Sequence, residues 1–280
     1  MDEAEELVSA YADWMRSWGA SQATIDVRVG KIAPLLREWG GVDGITSERI
    51  RAWLIDPRTR KPKDGRPPTA ATRSTYHAHM KSFCDWLFAG GLIEVHPMTT
   101  DQVRTPKRPD YVPRPITEAQ ASRALAEATG DLRAWLVLAM RAGLRAHEIA
   151  KIKAEDVSED GIFVRGKGGV EAVLPCHPEI LDLAAVYPLR GYWFPDSHAP
   201  DGHVPRERIS KLVGDYFRRI NIPQGSIHRA RHYYATSLLR AGVNIRIVQR
   251  LMRHSNVKTT AGYTAVDEDE LRAAVLKLTA

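Results

Sequence analysis

A proline-rich segment near the middle of the chain limits what the whole sequence can fold into. Residues 105–117 read TPKRPDYVPRPIT, with four prolines and no apolar periodicity. Each proline removes a backbone hydrogen-bond donor and moves the preceding residue out of the helical region, so this segment should be extended and semi-rigid. Thr117 and Gln120 then have the spacing of a capping box, which predicts the first helix of a second domain. The predicted parts are a domain at 1–104, a linker at 105–116 and a domain at 117–280.

The sequence before the linker is typical of a small helical bundle. Ser21 can cap a helix, and Gly90 with Gly91 can end another one. Each of these helices carries one apolar stripe at helical spacing, and the two stripes are Ile25, Val29, Ile32 and Leu36, and Tyr76, Met80, Phe83 and Leu87. Shorter helices are expected at about 3–17 and 47–55.

The sequence after the linker is also mostly helical, with one break. IFVRGKGGVEAVLP, residues 162–175, has β-branched runs on both sides of a glycine-rich turn, which predicts a β-hairpin. Helices are expected at about 205–219, 226–241, 244–253 and 268–278. The fold class is therefore mainly α, with a helical N-terminal bundle and a mixed, mostly α C-terminal domain that contains a small β-hairpin or sheet.

Composition excludes several other classes of protein. No apolar run approaches the roughly 18 to 20 residues that span a bilayer. The acidic start, MDEAEELVSA, predicts neither a signal peptide nor a transit peptide, so we expect a cytoplasmic protein without a membrane partner. Cys84 and Cys176 are the only cysteines and lack metal-ligand spacing. The net charge of +6 favours a polyanionic partner only weakly.

Basic side chains of the first domain form rows that could follow a phosphate backbone. Arg73, His77 and Lys81 recur every four residues, and the loop PRTRKPKDGR at 57–66 is strongly basic. An ordinary solvated surface explains these charges equally well. The candidate DNA contacts are Arg28, Lys31, Arg58, Arg60, Lys61, Lys63, Arg73, His77 and Lys81.

Two motifs of the second domain carry arginines that core packing does not explain. In GLRAHE, Arg145 follows a glycine turn, and Glu148 is placed to hold its planar guanidinium toward an anion. A surface ion pair is the simpler alternative. In HRARH, His228 and Arg231 lie on one helical face that leads into an apolar stretch, which indicates a lined pocket. A zinc site would need more ligands.

Two further motifs add a lysine and a tyrosine. Lys167 lies at the expected hairpin turn, where it is either an exposed turn residue or one that reaches a neighbouring site; the glycines lack the spacing of a phosphate-binding loop. LMRHSNVKTTAGYTAV, residues 251–266, separates His254 and Tyr263 by nine positions. A tyrosine hydroxyl is a weak nucleophile that needs nearby cations, and Arg145 and Arg231 would supply them.

The ordered series GLRAHE, GKGGVEAVLP, HRARH and MRHSNVKTTAGY resembles the tyrosine recombinase family of phage integrases and Xer recombinases. The resemblance implies that Tyr263 attacks a DNA phosphodiester and forms a 3′-phosphotyrosine intermediate. It also implies that Lys167 is the general acid and that no ATP or metal cofactor is needed. The other implied catalytic residues are Arg145, His228, Arg231 and His254, with Glu148 in a supporting role.

The resemblance also implies partners. Double-stranded DNA at a core site should lie between the two domains, and strand exchange through a Holliday junction should require a homo-tetramer. The C-terminal tail should dock on a neighbouring protomer, with packing on its own domain as the alternative. An accessory protein or host DNA-bending factor is left open. We expect a protein that is Xer-like in size, lacks an arm-binding domain and acts in the bacterial cytoplasm, either on the nucleoid or as a phage or mobile-element protein.

Two positions depart from the family pattern. Arg253 stands where a glycine usually precedes His254, so this turn either differs or tolerates strain. Ala230 replaces a common leucine. A catalytically silent DNA-binding protein and a type IB topoisomerase are the competing interpretations; the intact motifs argue against the first and the spacing around the tyrosine against the second.

Overall fold

The chain divides into two compact units, Met1–Val112 and Pro113–Ala280. The computed structural model describes residues 3–56, 67–99, 101–107, 115–166, 171–253 and 268–278. Most of this described part is helical, and its three strands form one small sheet, so the predicted fold class is confirmed. Across the same residues, no helix combines the length and the apolar character needed to cross a membrane.

The described residues of the N-terminal unit form four α-helices, and side-chain caps begin three of them. Ser21, Thr46 and Thr69 each accept a hydrogen bond from the backbone N–H three residues later, which satisfies one of the free donors at a helix start. These helices are α1 (Glu3–Ser17), α2 (Gln22–Trp39), α3 (Ser47–Ile55) and α4 (Ala70–Ala89).

The two predicted apolar stripes meet in the core of this unit. Ile32 and Leu36 of α2 are buried in the same cluster as Phe83 and Leu87 of α4. Tyr11 of α1 is also fully buried there, and its hydroxyl donates to the Ser82 Oγ at 2.9 Å. The stripe assignments are therefore confirmed.

Eight α-helices lie in the part of the C-terminal unit that the structure describes. The predicted capping box begins the first one, since the Gln120 N–H donates to the Thr117 Oγ1 at 3.3 Å and the Thr117 N–H donates to the Gln120 Oε1 at 2.9 Å. The sequence prediction omits α8, whose seven residues give little periodicity to read. The helices are α5 (Glu118–Glu127), α6 (Gly130–Arg141), α7 (Ala146–Ala150), α8 (Pro178–Ala184), α9 (Arg206–Arg219), α10 (Ile227–Arg240), α11 (Ile245–Met252) and α12 (Glu268–Leu276).

Helix α6 is the centre of this unit and fixes its neighbours. Every residue from Ala134 to Arg141 is buried, which makes α6 apolar on all sides and places it in the core. It packs against α10, α8 and α7. The arginine-bearing motifs at the start of α7 and on α10 are consequently held against one rigid element.

The predicted hairpin is present and is extended by a third strand. Strands β1 (Val157–Ser158), β2 (Gly161–Arg165) and β3 (Glu171–Leu174) pair antiparallel in that order. Ile162 faces Leu174, and both are buried, so the sheet is fixed to the core at the end opposite its turn. The turn residues 167–170, with Lys167, lie outside the described residues.

Helix α12 packs within its own unit. Leu271, Ala274, Val275 and Leu278 are buried in one cluster with α11. The backbone carbonyl of Leu278 lies 3.3 Å from the His177 Nε2. The apolar face of the terminal segment is thus covered inside the single chain, which is the alternative to docking on a neighbouring protomer.

Candidate active site

A buried carboxylate organises the candidate site. Glu148 lies on α7, whose first turn follows Arg145, and its side chain has no exposed surface. The Arg145 backbone N–H donates to the Glu148 Oε2 at 2.7 Å, and the Arg145 Nη1 donates to the Glu148 Oε1 at 3.0 Å. Glu148 therefore fixes both the backbone and the guanidinium of Arg145, which keeps a third of its side-chain surface exposed. The contact between Arg145 and Glu148 is therefore not the surface ion pair named above as the simpler alternative, because the carboxylate is buried and also binds the backbone.

Gly143 allows helix α10 to approach this turn. Its φ is +61°, and an added Cβ would lie 2.6 Å from the Tyr234 Cδ1. Both the left-handed backbone and the close ring favour a residue without a side chain. The Gly143 carbonyl accepts a hydrogen bond from the Arg231 Nη1, so the glycine also anchors the second arginine.

Arg231 is almost fully buried at the centre of the site. Its Nη2 donates to the Met252 carbonyl at the end of α11, and its Nη1 lies 3.8 Å from the Glu148 Oε2. Burial and, to a lesser extent, the charge of Arg145 lower the pKa of Arg231 to about 9, and the opposing effect of Glu148 is included in that value. The guanidinium is still positively charged at neutral pH.

Arg253, at the position where the family pattern has a glycine, is a third arginine of the site. It ends α11 with φ 48° and ψ 47°, so the left-handed turn is kept without a glycine, at a cost of about 1 kcal/mol. Its Nη2 donates to the Glu148 Oε2 at 2.8 Å, and its carbonyl accepts from the Arg145 Nη2 at 3.3 Å. The contact with Glu148 offsets the backbone strain.

The summed charge of Arg145, Arg231, Arg253 and Glu148 suits the site to bind an anion. Three guanidinium groups surround one carboxylate, which leaves a net charge of about two positive units in a largely buried position. Buried charges of this kind are unfavourable unless they are paired. A phosphate group would provide the missing negative charge.

His228 lies on α10 beside the arginines and keeps an exposed ring. Its Nε2 is 2.9 Å from the His232 Nε2, and the two rings meet edge to face. Partial burial is the main cause that lowers the pKa of His228 below its usual value, and the charges of Arg231 and Arg145 add to it. His228 is therefore neutral at pH 7 and able to accept a proton.

The structure thus brings together Arg145, Glu148, His228 and Arg231, as the motifs predict. Lys167, His254 and Tyr263 lie outside the described residues, as do Arg58, Arg60, Lys61 and Lys63 of the basic loop. Arg253 is the last described residue before the gap at 254–267, so it directly precedes His254. The segment that carries the predicted nucleophile therefore leaves α11 at the arginine cluster.

The basic row predicted on α4 is wrong for His77. His77 is only 4% exposed, and its Nε2 lies 3.3 Å from the Val103 carbonyl, so it belongs to the interior of the N-terminal unit. Helix α4 is buried on more than one side because both α2 and α3 pack against it. Lys81 is exposed and pairs with Asp85, whereas Arg73 is half-buried.

A different basic group lies between α2 and α4, and sequence reasoning missed one of its members. Arg28 donates to the Ser82 Oγ at 2.8 Å, and the Lys31 Nζ lies 4.9 Å from the centre of the Tyr76 ring. Partial burial together with the charges of Arg28 and Lys31 lowers the pKa of His79. The signal for His79 was its spacing of three from Tyr76, which places both on one helix face.

The N-terminal basic group and the buried arginine cluster are the features expected of a protein that acts on a phosphodiester backbone. The model of the phage integrase family matches residues 114–270, more than half of the chain. A tyrosine recombinase XerD from Ralstonia nicotianae is 31% identical over 238 residues, which cover 78% of this chain and 76% of the relative. The fold and site define a tyrosine-type site-specific recombinase. The chain belongs to the phage integrase family.

Solved structures agree with this assignment. The integrase from mycobacterium phage Brujita is similar over 99% of this chain and 94% of its own length, with 32% identity and a TM-score of 0.56. A lambda integrase tetramer bound to a Holliday junction has a TM-score of 0.68 over 94% of this chain and 80% of that chain. At 18% identity, the second similarity supports the fold alone.

Proposed function

We propose that this recombinase cleaves DNA with Tyr263 and that Arg145 and Arg231 bind the scissile phosphate. The observation that carries the proposal is the buried cluster in which Glu148 orients guanidinium groups and leaves a net positive charge. A phosphodiester has one negative charge, which becomes more concentrated as the attacking oxygen approaches. Donors that are already in place stabilise that charge without reorganisation, so this cluster suits phosphoryl transfer.

The cleavage step exchanges one ester bond for another. The Tyr263 Oη forms a bond to phosphorus while the bond from phosphorus to the 5′ oxygen breaks. The tyrosine proton passes to neutral His228, and Lys167 gives a proton to the leaving 5′ oxygen. His254 donates a hydrogen bond to the phosphate. The 3′-phosphotyrosine keeps the bond energy, so rejoining to another 5′ hydroxyl needs neither ATP nor a cofactor.

The N-terminal unit contributes contacts to the DNA backbone. Arg28, Lys31 and His79 lie close together between α2 and α4, where the positive charges of Arg28 and Lys31 can follow phosphates. We propose that the same surface also includes Arg73, Lys81 and the basic loop at 57–66. His77 is left out of it because it is buried.

Strand exchange requires a homo-tetramer on two DNA sites. The lambda integrase tetramer on a Holliday junction has a similar fold, which supports the assembly. Helix α12 covers a groove that includes Leu251 and Met252 in its own unit. Since every protomer has the same groove, the tail can move to the neighbour's copy without losing apolar burial.

The protein would act in the bacterial cytoplasm, as a phage or mobile-element integrase or as an Xer-like resolvase, with or without an accessory factor.

Replacement of Tyr263 by phenylalanine tests the nucleophile. The substrate is a nicked duplex whose core sequence is first selected from a random pool by retention on the protein. The wild-type protein should form a covalent adduct with this duplex, because the nick lets the free strand leave. Tyr263→Phe should form none while its dissociation constant for DNA stays within about threefold, since the hydroxyl contributes one hydrogen bond at most.

The matched control for this variant is Tyr192→Phe, which changes a partly buried tyrosine elsewhere in the same unit. It should form the adduct at the wild-type rate. An adduct that persists in Tyr263→Phe would remove Tyr263 from the mechanism.

The role of Lys167 is tested with a substrate whose leaving group needs no proton. Lys167→Ala should slow adduct formation by about 100-fold on the selected duplex, in the range for loss of a general acid. A 5′-bridging phosphorothiolate should restore the rate, because a thiolate leaves without protonation. Lys211→Ala, which removes an exposed lysine on α9, is the control. An unrestored rate on the phosphorothiolate would contradict the general-acid role.

The lowered pKa of His228 predicts a pH dependence. Only neutral His228 accepts the tyrosine proton, and its pKa lies below the usual value of 6.5, so the rate of adduct formation should be flat near pH 7 and fall only at pH values below 6.5. His228→Gln should be slower and should lack this acid limb. The control is His198→Gln, which changes an exposed histidine outside the site. An unchanged acid limb in His228→Gln would show that another group titrates.

A further inference from the structure

Arg253 has more contacts with the active site than its place at a helix end requires. Its side chain is only 13% exposed, and its Nη2 shares the Glu148 Oε2 with the Arg145 backbone N–H. Its own carbonyl accepts from the Arg145 Nη2. Both the backbone and the side chain of residue 253 are therefore parts of the arginine cluster.

Two donors of Arg253 have no partner among the described residues. Its Nε and Nη1 are buried and have no hydrogen-bond partner in the described part of the chain. A buried donor without an acceptor is unfavourable, and a charged one more so. A phosphate that arrives with the substrate could accept from the Nη1.

The negative charge of Glu148 is already balanced without Arg253. The carboxylate already binds Arg145 through two hydrogen bonds and has Arg231 at 3.8 Å. A glycine at position 253 would also suit the left-handed backbone better. The strained arginine adds positive charge to a site that already has an excess of it, which points to an anionic ligand rather than to the fold.

We propose that Arg253 is a third phosphate-binding cation of the active site. Glu148 holds the Nη2 of Arg253, and the Nη1 donates to the scissile phosphate as negative charge develops on it. This inference rests on the proposed function, in which Arg145 and Arg231 bind the same phosphate. It adds a catalytic residue at a position where the family motif has a glycine.

Three substitutions separate the charge of Arg253 from its shape and its backbone. Arg253→Lys keeps the charge, Arg253→Gln removes the charge and keeps a shorter polar side chain, and Arg253→Gly removes the side chain and suits the φ of 48°. The rate of adduct formation is measured at saturating selected duplex, and the dissociation constant for that duplex is measured separately. Arg250→Gln, on the same helix one turn earlier, is the control.

The substitutions should lower the rate of adduct formation and leave the affinity for DNA nearly unchanged. Arg253→Gln and Arg253→Gly should form the adduct about 10- to 100-fold more slowly, in line with loss of one transition-state donor, with dissociation constants within about threefold of the wild type. Arg253→Lys should stay within about tenfold of the wild-type rate. The melting temperature of Arg253→Gly should not fall, because glycine relieves the strained backbone.

A substrate with a neutral scissile phosphate gives a readout that a structural role would not change. A methylphosphonate lacks one anionic oxygen, so the ratio of the wild-type rate to the Arg253→Gln rate should shrink toward one on it. An equal ratio on both substrates would overturn the proposal, and so would a Lys variant as slow as the Gln variant.

The failure of this inference is distinguishable from failure of the proposed function. If the wild-type protein forms the adduct and Arg253→Gln and Arg253→Gly match its rate, the third cation is wrong and the nucleophile assignment stands. If the wild-type protein forms no adduct on a selected duplex that it binds, the proposed function itself is wrong, and the role of Arg253 falls with it.

Discussion

The buried carboxylate of Glu148 is the interaction on which the rest of the site depends. It has no exposed surface, and it accepts from Arg145 and Arg253 with Arg231 close by. Without this carboxylate, three guanidinium groups would face one another in a poorly solvated space. Their mutual repulsion would separate the start of α7 from the ends of α10 and α11.

The same guanidinium groups also tie the polypeptide together. Arg231 donates to the carbonyls of Gly143 and Met252, and Arg145 donates to the carbonyl of Arg253. Carbonyls at the end of a helix lack partners within it, so cations suit that place. The residues that bind the substrate phosphate in our proposal therefore also fix the point where the chain leaves α11 toward His254 and Tyr263.

The sequence predicted the parts of this structure that depend on local patterns. The capping box at Thr117, the apolar stripes of α2 and α4 and the paired strands of the hairpin follow from spacing alone. Motif spacing also found Arg145, Glu148, His228 and Arg231. What it missed depends on packing: His77 is buried because α4 has neighbours on more than one side, His79 depends on which face α2 covers, and the contact between Arg253 and Glu148 joins residues far apart in the chain.

The free energy of unfolding of Glu148→Gln, alone and combined with Arg253→Gln, tests the organising role of this carboxylate most directly. Loss of the buried charge should reduce the free energy of unfolding by about 3 to 5 kcal/mol, as for other broken buried ion pairs. The second substitution should restore about 1 kcal/mol or more, because it removes one uncompensated cation. A loss below about 1 kcal/mol for Glu148→Gln, with no recovery in the double variant, would contradict the account.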